Sequence, residues 1–344
     1  MGKTNTLEMG KTNIRFSTTD CDYNKYVTTK QEVLVWVKYL RVFCLIQVLL
    51  LHYFSGHSLN ELVWLFRGAV PTFIIISAYL YGLKNYEQKR TFGGGFLKRR
   101  FIKLSVPYYL FLLAVFTYWC VVNPKQTGHY TMSLVSELLY LTDFGSIIEP
   151  LPNCGHLYFL QLIMMCYLLL FFLSKTNLIQ GGAYLFRNIF FIFSFFLILL
   201  ASGFVFRKLY LIVFFFYLLV YYNAKIIKKY ADKVNLLALF AVIGVSYIAY
   251  FFIKQKDGTY PSFIFQIWGY FIAIFTLALF QKVFQKAPDA RILSFFSSIL
   301  MEFYLIHHLF VFDYPLYLSL PITLLLSFVL NRLSNYLQKC KIVN

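Results

Sequence analysis

The sequence predicts an all-α, polytopic membrane bundle of about ten transmembrane helices, with both termini on the cytoplasmic side. Three observations lead there. Hydrophobic residues make up 60% of the 344, and charged residues only 13%, where a soluble domain carries about 25% charge. The apolar residues come in runs long enough to cross a bilayer, which needs about 20 residues at 1.5 Å rise each. The basic residues, which give a net charge of +18, are distributed unevenly between the connections. Together these exclude a disordered chain, a fibrous rod and an ordinary soluble enzyme. They also argue against a nucleic-acid partner, because the charge sits where it orients the chain.

The spans are expected near 33–54, 62–83, 104–122, 156–174, 184–203, 206–222, 234–253, 261–281, 292–312 and 315–333. The fifth and sixth are split by Arg207-Lys208, and the ninth and tenth at Asp313 and Pro315. With the N-terminus inside, the tails and even-numbered connections carry 24 Lys and Arg, and the opposite connections carry 5. The positive-inside rule therefore fixes the orientation, and the basic side faces anionic lipid.

The connections have no room for a soluble domain. Residues 1–32 form a polar tail, expected to be disordered, with a direct repeat of Met-Gly-Lys-Thr-Asn at Met1 and Met9. The repeat leaves Met9 as an alternative start, and no cleavable signal precedes the first span. Residues 84–103 read as a cytoplasmic turn leading to a basic interfacial segment. Residues 123–155 form the longest outer loop, with a short helix over Leu134–Leu141. Residues 33–335 make one transmembrane domain, and 336–344 a short cytoplasmic tail. The six cysteines show neither a C-x-x-C pair nor metal-ligand spacing, so neither a metal nor a disulfide is expected.

Ionisable groups within spans are costly in hydrocarbon and so become candidate functional groups. The first span holds Lys38, Arg41 and His52, and the ninth holds Glu302 and His307. Arg41 and His52 are eleven residues apart, about three helical turns, so they share a face about 16 Å apart along the axis. Lys38 joins Arg41 at i, i+3. All six histidines fall on the outer side, whereas the cations crowd the inner side. Imidazole suits proton transfer near neutral pH, and clustered cations suit phosphates. This polarity points to a phosphate-bearing donor such as an acyl-CoA arriving from the cytoplasm, with a base acting further out. Glu302 and His307, five residues apart, diverge by about 140° around a helix and are expected to reach different neighbours.

Several stretches, in order, resemble the integral-membrane acyltransferase-3 family, whose members O-acylate surface glycans and other acceptors. Arg41-x10-His52 looks like its first-helix motif, and VPTFIIISAYLYG from Val70 like its second-helix signature. KRRFIKLSVPYY from Lys98 resembles its basic element, HLYFLQLIMMCYLL from His156 its Trp-Phe-Leu helix, and SSILMEFYLIHHLF from Ser297 its Tyr-Leu-x-His segment. The chain departs from that pattern at Ala78 (for Gly), Lys103 (for Arg) and Tyr158 (for Trp). Lys103 keeps the charge and loses the bidentate fork.

The resemblance implies an acyltransferase of the plasma membrane, moving an acyl group, acetyl first, from acyl-CoA to a hydroxyl of a carbohydrate or glycolipid. It makes His52 the catalytic candidate, as general base or as acyl carrier, with Glu302 and His307 as further candidates. Arg41 with Lys38, and Arg99, Arg100 and Lys103 of the basic element, would hold the donor. The alternatives are a transporter or flippase, or a polymerase, of polyprenyl-linked glycan. The sequence shows no internal repeat of the kind many transporters carry.

Overall fold

The computed structural model describes residues 20–54, 68–88, 94–141, 148–175, 208–233, 262–310 and 314–340, with a few isolated positions between 194 and 245. They are helical, and no strand occurs among them. The helices are α1 (Asp20–Phe54), α2 (Ala69–Gln88), α3 (Gly94–Val122), α4 (Thr127–Leu138), α5 (Tyr158–Lys175), α6 (Lys208–Tyr230), α7 (Ser262–Phe284), α8 (Arg291–Ser298), α9 (Leu300–Ile306) and α10 (Leu316–Lys339). Among the described residues, five helical segments are long and apolar enough to cross a membrane. These are Val35–Phe54, Gly95–Val122, Gly155–Leu173, Ile267–Phe284 and Leu316–Lys339. The bent pair α8–α9 makes a sixth if it is one span, and Ala69–Lys84 is a shorter apolar helix. The expected spans at 184–203 and 234–253 lie outside the described residues apart from isolated positions. Arg67, His57 and the N-terminal repeat lie wholly outside them.

Three expectations are revised. α1 starts at Asp20, so the helix reaches back into the segment read as a disordered tail. α3 starts at Gly94 and runs unbroken to Val122, so the basic element is the first turns of the third helix rather than a separate interfacial segment. Lys and Arg are good helix formers, and the three glycines before them set the start. The ninth span is not one straight rod. α8 and α9 meet at 52°, where the Ser298 hydroxyl donates to the Phe295 carbonyl at 2.7 Å. Such side-chain back-bonding competes with the backbone ladder and bends helices. The outer connection does contain a helix, but it is α4, starting seven residues ahead of Leu134.

The interior is built where helix faces meet. Trp36, Leu40, Cys44 and Val48 recur at the i, i+4 spacing on α1 and are fully buried. They face a core that includes Ile74 and Ala78 of α2, Phe216 and Tyr217 of α6, and Ala273 and Leu277 of α7. α2 and α6 come into close contact at Gly82. There, a side-chain Cβ would overlap the Tyr221 carbonyl oxygen and stand 2.8 Å from Ala224 Cβ. Several polar groups in this interior are paired, as a bilayer favours. Tyr79 donates to Gln281 Oε1 at 2.7 Å, and the Ser105 and Tyr140 hydroxyls bond at 2.9 Å.

Candidate functional site

Between α1, α2, α3, α5, α8–α9 and α10 lies a cavity of about 760 Å³. Three of its cations come from two helices. Arg41 comes from α1, and Arg100 and Lys103 from α3. Arg100 and Lys103, at i, i+3, share one face of α3. The Arg100 guanidinium lies over the Tyr81 ring, 5.2 Å from its centroid, a cation–π contact that holds it in place. Arg99, one residue earlier and so about 100° round the helix, is exposed and does not line the cavity.

Lys38 also lies off the cavity. Its ammonium bonds to Asp289 Oδ2 at 2.6 Å and to the Ser294 hydroxyl at 2.9 Å. Beside it, the Tyr39 hydroxyl donates to the Pro288 carbonyl at 3.0 Å. Lys38 thus ties α1 to the connection between α7 and α8. That hydrogen bond lowers the Asp289 carboxyl below its usual pKa. Two cations not singled out from the sequence, Lys84 and Lys228, do line the cavity.

Glu302 belongs to the cavity too. Its Oε1 accepts from Asn331 Nδ2 at 3.0 Å, while its Oε2 is buried without a hydrogen-bond partner among the described residues. Asn331 also donates to the Ser298 carbonyl at 3.0 Å, and Asn335 donates to Asn331 Oδ1 at 3.0 Å. Asn331, Asn335 and Gln338 make a polar stripe on α10 that lines the cavity. The stripe was readable as i, i+4 polar positions closing an apolar helix.

Four histidines gather beyond the cavity and do not line it. His52 ends α1, His156 precedes α5, and His307 and His308 follow α9. The His52 ring centroid is 5.2 Å from that of His307 and 4.8 Å from that of His308. His156 stacks on His308 at 4.3 Å and meets His307 edge-on at 5.2 Å. Backbone carbonyls, which can only accept, fix three tautomers. His307 donates from Nδ1 to Tyr304 at 2.7 Å, His308 from Nδ1 to Asn153 at 3.1 Å, and His156 from Nε2 to Leu305 at 3.3 Å. The nitrogens left to accept a proton on His307 (Nε2) and His156 (Nδ1) are buried, with no hydrogen-bond partner among the described residues. No three His, Cys, Asp or Glu side chains among those residues are arranged to hold a metal ion.

A neighbouring turn supports this cluster. Glu137 Oε1 on α4 accepts from the Leu151 amide at 2.9 Å, and the Ser133 hydroxyl donates to the Glu149 carbonyl at 2.7 Å. The turn that follows passes through Asn153 at φ 63°, presents the Asn153 carbonyl to His308, and leads into His156. Burial pushes the Glu137 carboxyl up to about 8.

A cationic cavity and an imidazole cluster, joined by one helix that carries Arg41 and, eleven residues on, His52, suit transfer of a group. The family agrees with this: a model described as an acyltransferase domain matches residues 34–334. The chain belongs to the acyltransferase-3 family. No curated protein and no solved structure matches it. The family and the apolar helices make it a membrane acyltransferase. Within this acyltransferase the structure brings His52 and His307 together. It sets Glu302 against Asn331 at the cavity, and places Arg41, Arg100 and Lys103 on one wall system. The pairing of His156 with His308 had no signal in the sequence beyond both lying on the outer side.

Proposed function

We propose that the protein moves an acyl group, acetyl first, from acyl-CoA on the cytoplasmic side to a hydroxyl of a carbohydrate or glycolipid in the plasma membrane. The N-terminus faces the cytoplasm in this reading, as the 24-to-5 division of basic residues supports. The observation that carries the proposal is the arrangement along α1. Arg41 stands with Arg100 and Lys103 in the cavity, and His52 stands with three further imidazoles beyond it.

The cations would hold the donor phosphates, each charge-assisted hydrogen bond contributing more than a neutral one. The pantetheine arm would then run along the cavity towards Tyr304 and the histidines. In the direct route an imidazole takes the proton of the acceptor hydroxyl as its oxygen attacks the thioester carbonyl. The carbon–sulfur bond breaks, and the CoA thiolate leaves and is protonated. In the two-step route His52 attacks the thioester carbonyl, the carbon–sulfur bond breaks, and the proton His52 loses passes by a neighbouring imidazole to the leaving thiolate. The acceptor hydroxyl then attacks the acyl-imidazole, its proton goes to that neighbouring imidazole, and the bond to His52 breaks. His307 Nε2 is the natural proton acceptor in either.

The test compares surface glycans, by mass, from wild-type cells, cells lacking the protein, and cells carrying His52→Ala. An acyl mass increment lost in the null and in His52→Ala, with the variant present in the membrane, is expected. Full acylation by His52→Ala would remove His52 from the mechanism, and identical glycans in null and wild type would remove this acceptor class.

A further inference from the structure

The histidine cluster does not line the cavity. Three aromatic rings of the cavity lining form a chain that leads to it. Phe73 and Phe159 lie 6.0 Å apart between centroids, and Phe159 and Tyr304 5.2 Å apart. All three line the cavity. On its other side the Tyr304 ring touches the cluster, 5.4 Å from His156 and 5.5 Å from His307. The Tyr304 ring thus stands as a wall one aromatic layer thick between the cationic cavity and the imidazoles, backed by Phe159 and, through it, by Phe73.

The three are held differently. Tyr304 is buried, and its hydroxyl donates to the His156 carbonyl at 2.7 Å. Phe159 is half-buried on the first turn of α5 and is kept in place by packing alone. Phe73 is half-buried on α2 and meets the wall through Phe159. Neither phenylalanine has a hydrogen bond to break on rotating, and of the two it is Phe159 whose ring packs directly on Tyr304.

We infer that Phe159 is the movable part of this wall and sets the size of acyl group that reaches His52. The inference rests on the acyl-transfer reading above and narrows it to short, unbranched acyl thioesters. An acyl carbon must pass where the Phe159 ring lies, and the space freed by one ring rotation is small. Each added methylene then meets Phe73 or Tyr304, neither of which yields without cost. The same wall closes a water path between cavity and cluster while no donor is bound.

The experiment uses the full chain in lipid vesicles. Donors are acetyl-, butyryl- and hexanoyl-CoA, and the acceptor is the surface glycan extracted from cells lacking the protein. The wild type is expected to prefer acetyl to hexanoyl by at least about 100-fold in kcat/KM, since a methylene that does not fit is worth about tenfold or more. Phe159→Ala and Phe159→Leu are expected to shrink that preference at least about tenfold, and Phe159→Trp to penalise butyryl as well. A chain-length preference unchanged in both Phe159→Ala and Phe159→Leu overturns the assignment. Proton flux into the same vesicles, read with an entrapped pH dye, needs no transfer and is expected to rise in Phe159→Ala. If the wild type transfers no acyl group from any donor, the function reading fails, and an unchanged proton flux then overturns the wall.

Discussion

His307 donates its Nδ1 proton to the Tyr304 carbonyl at 2.7 Å and leaves Nε2 as the bare nitrogen 5.2 Å, ring to ring, from His52. That tautomer is enforced, because a carbonyl cannot donate. In the proposed reaction, a proton released at His52 has this Nε2 nitrogen as a nearby acceptor. Replacing His307 with Gln keeps a polar side chain and removes the titratable nitrogen. The expected result is a fall in kcat of at least about 100-fold with donor KM little changed, measured in vesicles. An unaltered kcat would assign His307 to packing.

The cation set divides between the cavity and a structural contact. Arg41 lines the cavity, whereas Lys38 is spent on Asp289 and Ser294. Arg41→Ala is expected to raise the donor KM at least about tenfold, the value of one charge-assisted contact. Lys38→Ala should leave it within about twofold. Steady-state kinetics with acetyl-CoA distinguish the two, and equal effects would place Lys38 at the donor.

Gly82 marks a close approach of α2 and α6. A methyl group there meets the Tyr221 carbonyl and Ala224 Cβ, and backbone cannot yield as a flexible side chain can. Gly82→Ala is expected to cost about 1–3 kcal/mol, seen as a lower melting temperature in detergent. A melting temperature equal to wild type would mean that the two helices separate freely at this point.

Glu137 sets a pH dependence outside the membrane. Its folded pKa is raised from the usual 4.5 to about 8, so the folded chain holds a proton the unfolded chain has lost. Stability linked to this group is full below about pH 4.5 and is lost as the pH rises towards 8. Glu137→Gln keeps an oxygen for the Leu151 amide and removes the titration. Its melting temperature should exceed that of wild type at pH 9 and fall less steeply between pH 5 and pH 9, by roughly the change this linkage predicts. Parallel melting curves for the two proteins would assign the pH dependence elsewhere.

The sequence revealed those features that a single helix carries. Arg41 and His52 share the apolar helix α1, so their alignment follows from the 3.6-residue period, and the order of motifs was enough to show the family. It could not reveal what tertiary contact decides. Lys38 and Arg41 look alike on a helix wheel, and only the position of Asp289, some 250 residues away, separates them. The bend at Ser298 left no hydropathy trace, because both arms are apolar. The His156–His308 stack joins two segments whose register depends on the turn that Glu137 anchors.

Asn331 has a further consequence. Its amide reaches both the Ser298 carbonyl, at the bend, and Glu302, one turn into α9. α10 is thereby locked in register to both sides of the break. Sliding it along its axis would strip two partners at once, so α8, α9 and α10 travel as one body. If the cavity widens to admit a donor as large as a coenzyme, the hinge falls in residues 285–290, where Lys38 grips Asp289, and the load of opening is carried by that exposed clasp.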